Sequence, residues 1–181
     1  DSTFHNDGDV FKKMGANGNV HDCALAADGS FFISGWVEEA NGNNMAVLKF
    51  KNNGKLDNSF AGDGIKVFQP GWNVEASATG ITALPNGKIV CVGTQDDNGD
   101  VDGVMVRLTA TGLLDASFSG DGSQAYDLSL GGIDGFFKIE RLANGKFLLL
   151  GYTHLNSVRK AKVIQVKSDG SIDHIGYGNG I

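Results

Sequence analysis

The chain has 181 residues, 27 of them glycine and only 2 proline, with a formal net charge of −6. Its apolar content is sufficient and its charge ordinary, which argues against disorder, and it shows no basic stripe of the kind a nucleic-acid surface needs. No apolar run is long enough to span a membrane and no signal peptide is visible, while the start at Asp1 reads as a processed product or an excerpt of a longer protein.

In chain order, the first feature is DSTFHNDG at 1–8. It returns as LDNSFAGDG at 56–64 and LDASFSGDG at 114–122, and in decayed form as IDHIGYGNG at 172–180. Its aspartates, Asp1, Asp57, Asp115 and Asp173, stand 56, 58 and 58 residues apart. The second feature, DGSFFISG at 28–35, returns as NGKIVCVG at 86–93 and NGKFLLLG at 144–151. The third, MAVLKFKNNG at 45–54, returns as VMVRLTATG and KVIQVKSDG. Three features in one register define a tandem repeat. Its units are 1–56, 57–114 and 115–172, with 173–181 as the start of a degenerate fourth.

Each unit reads as four strands. In the middle copy strand a is 65–68, strand b is 79–84, strand c is 88–93 and strand d is 104–110. Asn-Gly and Asp-Gly between apolar runs are hairpin signals, because glycine accepts positive φ at no steric cost. Strand c is apolar on both faces, as a strand buried between two sheets must be, and strand d alternates. The fold class is therefore all-β: three tandem four-stranded antiparallel blades of a β-propeller or propeller-like assembly. The LDxSFxGDG link is long enough to cross a sheet and carry the chain from the outer strand of one blade to the inner strand of the next. Phe4, Phe60 and Phe118 are expected to plug the space between blades, and Asp57 and Asp115 to fix their turns. Cys23 and Cys91 occupy positions filled by Ile or Leu in the other copies, so both are expected as buried free thiols.

LDNSFAGDG followed by PNGKIVCVG resembles the bacterial delta-sixty repeat over essentially the whole chain. That resemblance implies propeller-like blades in a secreted or surface-attached protein with a binding or adhesive role, and it brings no catalytic residues. The departures are at the ends. Gly176 stands where the fourth signature needs Phe, and the first signature has Asn6 in place of Gly and lacks the leading Leu.

Three blades fall short of the four to eight of closed propellers and leave open strand edges. The expected remedy is a homo-oligomer, a dimer or a trimer. Function is expected where the copies differ, in the a–b loops (12–19, 69–78, 127–135) and the c–d loops (36–44, 94–103, 152–160), which an up-and-down blade places on one face. Trp36, Trp72 and Tyr152 offer rings there, with Glu38, Asn41, Asn73 and His154 as polar neighbours, a set suited to sugars. Burial of the rings between blades is the competing role for them.

Asp96, Asn98, Asp100 and Asp102, followed by Gly103, resemble the start of a calcium loop, but the closing position, 109, is Thr, and an acidic hairpin tip in solvent explains the run as simply. No cofactor is otherwise implied. The leading functional expectation is an extracellular or cell-surface recognition module, with a cell-surface glycan or protein as partner and neither nucleic acid nor membrane insertion involved. A structural or oligomerising cap of a surface fibre is the alternative. A glycan-active hydrolase using Glu38 with Glu39, or Asp96 with Asp100, is the second alternative.

Overall fold

The structure is a computed structural model that describes Phe4 and residues 17–71, 75–97, 99–129, 132–155 and 158–173. Among these residues there is no helix. β1 (Gly18–Leu25), β2 (Phe31–Glu39), β3 (Gly42–Phe50) and β4 (Ile65–Phe68) form one sheet in that order. β5 (Glu75–Ala83), β6 (Ile89–Asp97), β7 (Asp100–Leu108) and β8 (Ser123–Tyr126) form the second. β9 (Asp134–Arg141), β10 (Phe147–Leu155) and β11 (Val158–Val166) form the third. All neighbouring strands are antiparallel, and the three sheets do not close a ring.

One expectation is corrected. Residues 65–68 do not open the second sheet as its inner strand; they pair with β3 as the outer strand of the first, Met45 opposite Phe68 and Leu48 opposite Ile65. The cause is in the link. The Asp57 N–H donates to the Lys49 carbonyl and the Lys49 N–H to the Gly64 carbonyl, so the chain turns straight back along β3. Gly62 and Gly64 hold the turn at φ of 91° and 90°, which a side chain rarely adopts. The crossing from outer to inner edge falls instead between Phe68 and Glu75 and between Tyr126 and Asp134. Sheets therefore run from 18 to 68 and from 75 to 126, out of step with the sequence units 1–56 and 57–114.

The sheets stack through their inner strands. β5 packs across β1, β2 and β3, and β9 across β5, β6 and β7. The first junction buries Phe32, Met45, Val47 and Phe60 against Ile81, Ile89, Cys91 and Val106. The second buries Val90, Val92, Met105 and Phe118 against Phe136, Ile139, Leu149 and Ile164. Phe60 and Phe118 are fully buried wedges, as expected. Phe60 meets the next sheet's turn at Gly112 and Phe118 meets Gly170, while the Ala61 N–H donates to the Thr111 carbonyl. Phe4 instead stacks on Phe31, with ring centroids 6.0 Å apart.

A bulge interrupts the inner-strand ladder of each sheet, between Val20 and Asp22, between Ala78 and Gly80, and opposite Leu150 and Gly151. There the inner strand crowds the glycine that ends the second sequence feature. A Cβ on Gly35, Gly93 or Gly151 would lie inside contact distance of the carbonyl oxygen of Asn19, Ser77 or Gly135. The closing glycine of that motif thus serves close backbone approach. The bulges also bring Asp22 of β1 within 3.2 Å of Lys138 of β9, and the Asp22 carboxylate accepts the Ile81 N–H of β5, so the three inner strands converge.

Phe60→Ala should cost about 3–5 kcal/mol, the range for emptying a buried aromatic site. Gly93→Ala should cost a comparable amount through backbone clash, whereas Gly99→Ala, at an exposed tip with open space around it, should cost less, only the strain of a side chain at a φ of 96°. Urea unfolding of the three variants checks the order.

Candidate functional site

The stacked sheets have two unlike ends. One carries the repeated elements: the b–c turns and the links after strand d. Here each described signature aspartate is clamped from its own sheet; Asp1 lies outside the described residues. Asp57 pairs with Lys49 at 2.8 Å, and Asp115 with both Arg107 and Lys88 at 2.6 Å. Asp173 receives Gln165 at 2.6 Å and Lys146 at 2.5 Å. Lys49, Arg107 and Gln165 are repeat equivalents, so one carboxylate position organises each link among the described residues. Asp57 and Asp115 also accept the N–H and hydroxyl of the serine two residues on, as the turn chemistry predicted. The Lys49 ammonium, outweighing burial, holds the Asp57 carboxyl down at about 2. Burial works against ionising Asp115, but Lys88, Ser117 and Arg107 together hold it lower still. An open groove of about 480 Å³ lies at this end, between the 58–62 link, β4 and the 111–113 turn.

The other end carries what differs between copies. The β2–β3, β6–β7 and β10–β11 hairpin tips lie there, with the crossings that leave β4 and β8 and lead into β5 and β9. Contacts tie them together: Gly42 lies against Glu75, Val101 bridges Ile133, and the His154 N–H donates to the Ile133 carbonyl at 2.9 Å.

Trp36 is half-buried on β2, Glu38 is exposed and accepts a hydrogen bond from the Asn17 amide, and Asn41 at the tip accepts one from Asn44. Trp36, Glu38 and Asn41 therefore share one hairpin. Tyr152 and His154 share β10 with ring centroids 5.7 Å apart, and the Arg159 guanidinium stacks 3.8 Å from the Tyr152 ring centre. That cation, which sequence pattern did not single out, covers one face of the ring offered to a sugar. Trp72 and Asn73 lie outside the described residues.

The described residues of the expected calcium loop divide between the two faces of the β6–β7 hairpin. Asp96 and Asp100 sit at the β6–β7 tip, where Asp96 accepts the Gly99 N–H at 2.6 Å, and Asn98 lies outside the described residues. Asp102 shares a face of β7 with Asp100 and lies farther from the tip. Its carboxylate gathers with those of Asp127, at the end of β8, and Asp134, at the start of β9, each offering an oxygen within 4.8 Å of the others. Burial first, then the charges of Asp100, Asp127, Asp134 and Asp97, push the Asp102 carboxyl up to about 6. Charging it therefore costs folded-state stability as pH rises through that value. Asp127 and Asp134 escaped the sequence pattern because they lie 25 and 32 residues from Asp102. The available signal was the repeat itself, since the equivalent positions in the preceding copy are uncharged.

Cys91 is buried, which pushes its thiol far up, but Cys23 is exposed, against expectation. Its equivalents Ile81 and Ile139 are buried because a preceding sheet covers them; among the described residues no sheet precedes β1.

Fold and repeat together define an all-β, β-propeller-type repeat protein. A protein-family model described as Domain of unknown function (DUF5122) beta-propeller matches residues 26–60 and 84–118. Each matched segment runs from a b–c turn through strands c and d to a Phe wedge, so the chain is similar to that family in two successive repeats. No curated protein matches the chain.

The acid limb of stability should report the clamp. Asp57 has an ordinary value of 3.8 and a folded value of about 2, so its contribution is complete above pH 4 and is lost as pH falls towards 2. Asp57→Asn should lower urea stability at pH 7 and lose most of that deficit at pH 2; an equal deficit at both would show that the ion pair contributes nothing.

Proposed function

We propose that this chain is a recognition module working outside the cytoplasm, of the delta-sixty kind, that engages a cell-surface glycan through the end carrying the variable hairpin tips. The observation that supports this reading is the segregation of sequence. The clamps and wedges that build the scaffold occupy one end, and the opposite end is free to differ from copy to copy. Rigid repeats that hold unlike loops along one edge suit binding better than catalysis. Within that edge the Trp36 hairpin supplies an aromatic surface with carboxylate and amide partners at Glu38 and Asn41, the chemistry that sugars recruit.

A second reading, homo-oligomeric assembly, is favoured by a separate observation. The outward face of the first sheet presents Val20, Cys23, Phe31 and Ile33, and the equivalent Ala78, Ile81, Ile89 and Cys91 are buried at the next junction. The outward face of the third sheet presents Leu148, Leu150 and Val163, and the equivalent Val90, Val92 and Met105 are completely buried. One end of the stack is thus shaped like the surface the other end normally packs against. A second copy fits head to tail, and two copies give six sheets, within the range of closed propellers.

On an array of cell-surface glycans the protein should bind a restricted set, and Trp36→Ala should weaken that binding at least about tenfold while thermal stability holds. Absence of binding across the array would remove the glycan reading. Light scattering should give a mass above that of one chain, and Cys23 should react with a thiol reagent much more slowly in the assembly than after dilution to monomer. A monomer at all concentrations, with Cys23 freely reactive, would remove the assembly reading.

A further inference from the structure

We infer that Asp102, Asp127 and Asp134 form a calcium-binding site that pins the second sheet to the third. The three side chains come from β7, the end of β8 and the start of β9, so the site sits where the chain crosses between sheets, beside the Val101–Ile133 bridge. Their oxygens lie within 4.8 Å of one another, no farther than two ligands can stand across a calcium ion at about 2.4 Å each. The donor set is all carboxylate, which selects a hard cation.

A second observation, independent of the clustering, points to a ligand. Asp134 is fully buried, and only one of its oxygens is used: Oδ2 accepts the Leu128 N–H at 2.6 Å and the Ser129 hydroxyl at 3.1 Å. Its Oδ1 is buried with no hydrogen-bond partner. The same is true of Asp102 Oδ1, and of the Thr153 hydroxyl oxygen on the residue paired opposite Asp134. Neither Asp102 nor Asp134 joins an ion pair among the described residues. A buried carboxylate oxygen with neither proton donor nor cation is costly, and two beside each other more so. A divalent ion satisfies both and offsets the mutual repulsion.

Comparison within the chain sharpens the assignment. At the first junction the positions equivalent to Asp102, Asp127 and Asp134 are Asn44, Gln69 and Ala76. Those three positions are uncharged there, where Asn44 instead donates to the Glu39 carboxylate at 2.8 Å, so the scaffold does not demand three carboxylates at these positions. The site is a property of the second junction, distinct from the acidic β6–β7 tip, and it does not depend on whether the loop end binds a glycan.

The test is thermal unfolding of the whole chain after dialysis against chelator, with calcium chloride then added, alongside calorimetric titration of calcium alone. Calcium at about a hundredfold excess over its Kd should raise Tm by roughly 5 °C or more. Asp127→Asn, at an exposed position, should abolish most of that rise. Asp102→Asn should melt higher than the native protein in chelator, where repulsion is relieved, and lower in calcium, where a ligand is lost. Asp100→Asn, at the tip, should keep most of the response, losing only the pull of one nearby charge. No calcium-dependent shift or heat in the native protein would overturn the inference. So would an undiminished response in Asp127→Asn, an equal loss in Asp100→Asn, or a magnesium effect as large as that of calcium.

Discussion

The structure depends on burying one aromatic ring per junction beneath the following sheet's turn. Phe60 and Phe118 leave their links, pass under the neighbouring sheet and end against Gly112 and Gly170, where no side chain stands in the way. Each ring lies only a few residues after the clamped aspartate of its link, and the Arg107 guanidinium that grips Asp115 also lies 4.8 Å from the centre of the Phe118 ring. Electrostatics and apolar burial are thus joined at one residue. The carboxylate sets the turn, the turn aims the ring, and the ring fixes the next sheet.

The inner strands impose the complementary constraint. Their bulges crowd Gly35, Gly93 and Gly151 and bring Asp22, Gly80 and Lys138, which share one repeat position, to the place where the three sheets meet. Identical units would put like charges at that point of convergence. The copies instead carry an acid, a glycine and a base, so the interior of the stack is one place where repeats had to diverge for structural reasons.

Much of this was legible in the sequence, and the exceptions share a cause. The period, the hairpins, the wedges and the class of fold follow from local chemistry repeated at a fixed interval. The partner of residues 65–68 does not, because a four-residue strand pairs equally well by pattern with the strand before it or the one after. Only the Asp57–Lys49 and Lys49–Gly64 backbone bonds decide it. The grouping of Asp102 with Asp127 and Asp134 was hidden for a related reason. Residues 96–102 look like a ligand run when read along the chain, yet strand alternation puts Asp96, opposite Val101, on the other face from Asp100 and Asp102, and the nearest partners of Asp102 arrive from another strand end and another sheet. Cys23 was misplaced because burial at a repeat position depends on a neighbour that the first sheet lacks among the described residues.

The offset between sequence repeat and sheet has a mechanical consequence. Because β4 and β8 belong by sequence to the unit that follows, each of the first two sheets is hydrogen-bonded across a repeat boundary, and that boundary lies inside a sheet instead of between sheets. A pull on the chain therefore finds no slack joint at which one unit peels free while the next stays intact. It must first strip an outer strand from its ladder, and doing so withdraws the wedge that seats the following sheet. The stack should yield as a block.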